Sequence, residues 1–251
     1  MDSQPVIAET ALPLKNLSQQ ITSQDSEQQR SVFIITEQGH YRGVGCLMDL
    51  LRQITDLQLT IARHANPLSG LPGNVPINEH IQRAISQKRN VTVCYFDLDN
   101  FKPYNDTYGY NKGDTVITKT AAILSQHIDH EIDFLGHVGG DDFIVIFESQ
   151  NWQARCRDML QAFTALHGEF YIKQHLQQKG VYAQDRYGQQ LFFPLLSLSI
   201  GAVTLSDFDY SIDESELAQH ATKAKSKAKQ ITGNSLYQLT VSDHRYLSSV
   251  G

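Results

Sequence analysis

From residue 91 the chain reads Val-Thr-Val-Cys-Tyr-Phe, an uncharged apolar run that stops at Asp97. Its β-branched and aromatic residues suit a buried strand. Similar runs lie near 134–138, 143–148 and 195–204. The last alternates Ser197 and Ser199 with Leu and Ile and contains Gly201, a place where another backbone can come close. Helical spacing fills the gaps. Ile77, Ile81, Ala84 and Ile85 share a face over 76–88, and Cys156, Met159, Leu160 and Phe163 form a core face over 152–167, with Trp152 read as packing. Gly109 and Gly113 frame a turn, and Asp114 opens a helix to about residue 128. Residues 168–192 predict an added β-hairpin, built from Val181-Tyr-Ala and Gln190-Leu-Phe-Phe193 around a turn from Asp185 to Gly188.

Upstream the pattern changes. Residues 1–29 are polar and rich in Gln and Ser, with Leu14, Leu17 and Ile21 spaced for a short helix that Pro13 would start. Residues 18–29 fit a loop equally well. Residues 32–36 and 41–45 predict two strands around a turn at Gly39, and a helix follows from Leu47. Leu47, Leu50, Ile54, Leu57, Ile61 and His64 alternate in steps of three and four, the spacing of a coiled-coil seam. A helix docked on its own domain would show the same seam. Asn66-Pro67 ends this helix, since proline disfavours helix at the residue before it. The boundaries that follow are 1–46, a linker helix over 47–65, a main domain over 66–240 and a tail over 241–251.

Candidate chemistry sits at two strand ends. His137-Val-Gly139-Gly140-Asp141-Asp142-Phe143 predicts a hairpin tip whose glycines supply positive φ. A Gly-Gly turn has no structural need for two adjacent carboxylates, and a bound cation is one reason to keep them. If the strand ending at Asp97 pairs beside this hairpin, Asp97, Asp141 and Asp142 converge. Oxygen ligands without Cys or His select Mg²⁺ or Mn²⁺. Lys102, in the first turn of the next helix, offers a phosphate a cation and free backbone N–H groups.

Taken together these pieces resemble the GGDEF domain of the diguanylate cyclase family. The matching residues are Asn66-Pro-Leu-Ser69-Gly70-Leu-Pro72-Gly73-Asn74, Asp97-Leu98-Asp99-Asn100-Phe101-Lys102, Asn105-Asp106, Gly109, Gly113-Asp114, Gly139-Gly140-Asp141-Asp142-Phe143 and Ser199-Ile-Gly201. The resemblance implies an α+β fold, a ferredoxin-like cyclase palm with a central, mainly antiparallel sheet flanked by helices. To this are added a small N-terminal α+β segment and the linker helix. It implies that two GTP condense into cyclic di-GMP between the subunits of a homodimer. Asp97, the Leu98 carbonyl, Asp141 and Asp142 would hold Mg²⁺ or Mn²⁺, and Asp141 or Asp142 would act as catalytic base. Asn100, Phe101, Lys102, Gly139 and Gly140 would line the nucleotide, and Asn105 and Asp114 would read guanine, although Asp114 equally suits a helix N-cap. Lys225 and Lys229 fall where the family places phosphate contacts. The acidic start and lysine-rich end of the 213–230 helix also match the macrodipole without any ligand.

The chain departs from that family in places. Asp142 stands where Glu is usual, its carboxylate about 1.5 Å shorter in reach. His137 replaces an Arg. The product-inhibition window reads His130-Glu-Ile-Asp133, without its Arg, so this site is expected to be degenerate. The order strand, turn, strand, helix over 32–50 resembles the second half of a CBS module. That makes the chain look like part of a longer protein, with a CBS or phosphodiesterase domain as partner. The alternative function is a silent GTP-binding module acting on a neighbouring domain.

Composition narrows the classes. A net charge of -6 and a pI near 5.9 offer no basic field for nucleic acid. No apolar stretch reaches membrane-spanning length, and the N-terminus lacks a signal-peptide core, so no membrane partner is expected. Three widely spaced cysteines, Cys46, Cys94 and Cys156, suggest reduced thiols and a cytoplasmic setting.

Overall fold

The computed structural model describes residues 6–13, 16, 17, 19, 32–184, 188–205 and 214–240, in two compact units that divide at residue 63. In the first unit, β1 (Ile7–Glu9) pairs parallel with β2 (Val32–Glu37), which pairs antiparallel with β3 (His40–Cys46). Helix α1 (Leu47–His64) follows directly. Val6, Ala8, Leu17, Phe33 and Leu50 form a small core, with Leu47 and Ile54 packed at its edge. The predicted seam therefore splits. Its first half covers the sheet, while Leu57 and Ile61 are exposed. Strand β1 was not expected, because three apolar residues in a polar stretch carry no periodic signal. The short helix expected around Leu14 and Ile21 lies largely outside the described residues, as do the 241–251 tail and most of the 185–188 turn.

The second unit is built on a five-stranded sheet in the order β10-β9-β4-β6-β5. Its strands are β4 (Val91–Asp99), β5 (Phe134–Gly139), β6 (Asp142–Phe147), β9 (Ser197–Leu205) and β10 (Ser235–Thr240). All pairs are antiparallel except β9 with β10. The connections are α3 (Phe101–Tyr108) and α4 (Tyr110–Gln126) after β4, α5 (Trp152–Ala165) after β6, and α8 (Glu214–Ala228) after β9. This is the mixed, mostly antiparallel arrangement flanked by helices that the sequence implied. Strand β10 was not anticipated. Its Ser-Leu-Tyr-Gln-Leu-Thr holds three apolar positions in six residues, which carry only a short signal.

The period of two explains why β4 is mostly apolar from Val91 to Phe96. Cys94, Phe96 and Leu98 pack with Val116, Leu124, Met159 and Phe163 on one face. Val91 and Val93 pack on the other with Ile77 and Ile81 of α2 (Asn74–Ser86) and with Ala221 and Ala224 of α8. Both faces are covered, so neither alternates with polar residues. Asp97 shares the parity of Val93, and Asp142 that of Ile144 and Ile146. Both acids therefore lie on the α8 side.

Between the hairpin and β9 the chain adds α6 (His167–Phe170), α7 (Lys173–Gln178) and a separate hairpin of β7 (Gly180–Gln184) and β8 (Gln190–Pro194). The hairpin was expected; the two short helices were not. Helix α4 begins at Tyr110 rather than at Asp114, because Gly109, at φ +83°, already makes the turn.

Gly201 decides where α8 sits. A Cβ there would lie 2.3 Å from the Lys225 backbone nitrogen and 2.7 Å from the Ala224 carbonyl carbon. The helix rests on the sheet at a glycine, and this holds Lys225 beside the acids. Replacement Gly201→Ala should destabilise the unit by about 1–3 kcal/mol, as overpacking against backbone does. Urea unfolding measures this, and an unchanged midpoint would refute the close approach.

Candidate functional site

Asp97 and Asp142 are direct cross-strand partners of β4 and β6. Like charges placed so are destabilising unless compensated. The compensation comes from α8. Lys225 Nζ lies 2.7 Å from Asp97 Oδ2 and 2.5 Å from Asp142 Oδ1, and Lys229 Nζ lies 2.6 Å from Asp97 Oδ1. Lys225 and Lys229 are one helical turn apart and so share a face. Burial pushes the Asp97 carboxyl up, but the two ammonium groups outweigh it and hold Asp97 below its ordinary range. Burial raises Asp142 in spite of Lys225, and burial followed by the Asp97 charge raises Asp141. Burial alone would lower Lys225, yet its two carboxylate contacts raise it. Asp97 is thus the fixed anion of the group, and the hairpin acids accept a proton more readily.

The hairpin tip is braced from a second direction. His137, 2% exposed, stacks on Phe143 at 4.3 Å between ring centroids. Its Nε2 is 3.0 Å from the Gly140 carbonyl oxygen and its Nδ1 2.8 Å from Ser69 Oγ. A carbonyl only accepts, so Nε2 carries the proton and Nδ1 accepts from the serine. Burial lowers the His137 pKa, consistent with a neutral ring. Ser69 belongs to the loop after α1, where Asn66 Oδ1 accepts from the Leu68 and Ser69 N–H groups at 2.9 and 3.2 Å. His137 therefore links this loop to the tip, a role its position gave no hint of. Gly140 has φ +58° and Gly139 φ +145°, as the turn was expected to need.

Asp99 was read only as part of a motif. Its Oδ2 accepts from Ser197 Oγ at 2.8 Å and Ser199 Oγ at 2.7 Å, tying β4 to β9 on the same face as Asp97. Leu98, Asp99, Asn100, Ser197, Lys229 and Gly233 line a cavity of about 340 Å³. Asn100 adopts a left-handed conformation, φ 62°, and turns the chain from β4 into α3.

On α3, Lys102 is exposed and pairs with Asp106 at 2.8 Å, and Phe101 packs at the core's edge. The Asn105 Oδ1 is shielded from solvent without a hydrogen-bond partner. A Cβ on Gly113 would fall 1.8 Å from it, so the missing side chain makes room for the amide. Gly113 lies inside α4 rather than in a turn. Asp114 is exposed on the same helix and is not its N-cap; Gly109 is.

The inhibitory window is closed by its own chain. Asp133 is 7% exposed. Its Oδ1 accepts from the Glu148 and Ser149 N–H groups, and its Oδ2 from Asp129 N–H and Ser149 Oγ, all at 3.0 Å. His130 is exposed, with Ser125 Oγ 3.4 Å away.

The expected convergence of three carboxylates needs correction. Among the described residues no group of three or more His, Cys, Asp or Glu side chains is gathered to hold a metal. What lies between Asp97 and Asp142 is instead the Lys225 ammonium. The donor set still suits a hard cation. It consists of oxygens, and Asp97 Oδ1, although close to Lys229 Nζ, lacks any partner in hydrogen-bond geometry.

Comparison with known proteins follows the same outline. A family model described as "Diguanylate cyclase, GGDEF domain" matches residues 64–235. Diguanylate cyclase DgcZ of Escherichia coli (strain K12) is 32% identical over 117 residues, which cover 44% of this chain and 39% of DgcZ. Diguanylate cyclase DgcP of the same organism is 26% identical over 194 residues, covering 74% of this chain and 51% of DgcP. The chain thus spans about half or less of these relatives. In fold it is similar to diguanylate cyclase SiaD from Pseudomonas aeruginosa, solved with its activator SiaC, at TM-score 0.56 and 18% identity, covering 76% of this chain and 68% of that one. The coiled coil and GGDEF domain of DgcB from Caulobacter crescentus, solved with c-di-GMP, gives TM-score 0.56 at 17% identity, covering 76% and 93%. Nothing identifies the N-terminal unit as the CBS-like half module that its element order suggested. The family match, by contrast, takes in more than half of the sequence, and the chain belongs to the diguanylate cyclase GGDEF domain family.

Proposed function

We propose that the second unit binds GTP and condenses two molecules into cyclic di-GMP, each subunit of a homodimer presenting one nucleotide to the other. The observation that carries this reading is the cross-strand pair Asp97 and Asp142 with Lys225 and Lys229 over it. Acids and lysines so arranged can exchange partners: the lysines move to phosphate oxygens, and the acids are left for a cation. Asp97, the Leu98 carbonyl, Asp141 and Asp142 would hold Mg²⁺ or Mn²⁺. Such an ion supplies charge stabilisation at an attacked phosphorus.

The chain's own groups do the rest. Asn105 and Asp114 orient guanine, an amide and a carboxylate facing its mixed acceptors and donors. Asn100, Phe101 and Lys102, with Gly139 and Gly140, let the triphosphate approach backbone N–H groups. Lys225 and Lys229 neutralise it. A ribose hydroxyl from the partner's nucleotide attacks the α-phosphorus. A new P–O bond forms, the bond to the β-phosphate breaks, and pyrophosphate leaves. Asp141 or Asp142, each raised by burial, takes the hydroxyl proton. Two such steps close the ring.

A second reading has its own support. The Lys225 ammonium already fills the space between Asp97 and Asp142, so the unit would also serve as a nucleotide sensor without turnover, acting on a neighbouring domain. Incubation of the purified protein with GTP and Mg²⁺, followed by chromatography, separates the two. Cyclic di-GMP that vanishes in Asp97→Ala is expected, and GTP binding without product would leave only the sensor.

Lys225→Met should weaken GTP binding about tenfold or more, the value of a charge-assisted contact. Without nucleotide the same variant should bind Mn²⁺ more tightly than the parent in a spin-resonance titration, because its carboxylates are freed. Equal Mn²⁺ affinity would contradict the exchange. At the inhibitory window calorimetry should show no tight cyclic di-GMP binding. Asp133→Ala should instead cost about 2–4 kcal/mol of stability through the four bonds it removes. Tight binding abolished by that change would overturn this expectation.

A further inference from the structure

Residues 167–178, whose Phe170 and Tyr171 join the main core, grip the helix that carries Asn105. Tyr104 of α3 is 1% exposed, and its hydroxyl donates to the Phe170 carbonyl oxygen at 2.9 Å. Burial pushes its pKa up to about 12. One turn later, the Tyr108 hydroxyl accepts from the Ile172 N–H at 3.3 Å and makes a close contact with His175 Nδ1. The amide and the imidazole thus meet at one hydroxyl, which ties Ile172 and His175 together to α3. The rings of Tyr104 and Tyr108 stack at 4.8 Å, and Tyr171 meets both edge-on at 5.3 and 5.6 Å. Tyr171 is itself anchored by the Leu196 N–H at 2.8 Å, and His167 Nε2 lies 2.8 Å from the Leu196 carbonyl oxygen.

The same segment also reaches α4. Glu169 Oε2 lies 2.7 Å from Lys119 Nζ. Strand β7 packs along α3. Helices α3 and α4 are therefore joined at one end by Gly109 and both contact a common third element, α3 through Tyr104 and Tyr108 and α4 through the Lys119–Glu169 pair. Between them sits the Asn105 amide, its Oδ1 shielded and without a partner, in space left by Gly113. A shift of either helix by a fraction of an ångström would close that space or misdirect the amide.

We propose that residues 167–178 are a positioning element that fixes α3 against α4 and so sets how strongly this protein discriminates guanine from other bases, with Tyr108 and His175 as its positioning residues. The inference rests on the reading of Asn105 and Asp114 as the guanine contacts. It makes selectivity depend on a hydrogen bond that touches no ligand.

The test compares competitive binding of GTP, inosine triphosphate, which lacks the exocyclic amine, and inorganic tripolyphosphate, which lacks a base. Tyr108→Phe keeps the stacked ring and removes only the hydroxyl. It should lower the ratio of GTP to inosine triphosphate affinity by about tenfold, the scale of one well-made polar contact to a substrate, and leave tripolyphosphate unchanged. His175→Leu should do the same, and His175→Gln, whose amide can donate or accept, should restore most of the ratio. A ratio lowered by Asn105→Ala but untouched by Tyr108→Phe would overturn the positioning role alone. A ratio untouched by Asn105→Ala and Asp114→Ala would overturn it together with the base contacts. Equal losses for all three ligands would mark a merely structural role and also overturn it.

Discussion

The second unit depends on one electrostatic compromise. Two carboxylates face each other across adjacent strands, on the α8 side of the sheet, where like charges repel strongly. The sheet tolerates them because a helix lays ammonium groups over them, and the helix can come that close because β9 carries a glycine under Lys225. Each part needs the others. Without the helix the acids would protonate or separate, and without the acids the lysines would be half-buried cations with nothing to face. The arrangement is stable and reactive for the same reason: an ammonium on a flexible stem can leave a carboxylate for a phosphate at little conformational cost.

Around that centre the supports come from unrelated parts of the chain. His137 joins the hairpin tip to the loop that follows α1. Asp99 joins β4 to β9 through two serines. The tyrosine cluster joins α3 to the added segment. None of these groups is positioned by its neighbours in sequence alone, and together they tie separate elements around Asp97. These supports hold the backbone around the acids in place while the lysines on the flexible side of the exchange change partners.

Much of this was legible in the sequence, for definable reasons. The β4 run, the Gly-Gly tip and the acids at the strand ends are local signals, and the parity of a strand carries Asp97 and Asp142 to one face without further information. The close approach at Gly201 was legible too. Other features were not. Asp114 looked like a helix cap because the glycine before it resembled a turn. In fact Gly113 is helical, and its smallness serves a side chain eight residues upstream. Asp133 and His130 read as a worn binding motif, but only coordinates show Asp133 saturated by backbone N–H groups that lie beyond β6. The ammonium between the acids was invisible as well, since Lys225 is 83 residues from its partner on the hairpin.

The fit between Asn105 and Gly113 has a consequence for how such a domain can change. An amide oxygen and an absent methyl occupy the same few cubic ångströms, so the two positions behave as one locus. A lineage that altered the amide first would leave a void, and one that altered the glycine first would evict the amide. A new base preference is therefore reached through paired changes or through a poorly binding intermediate.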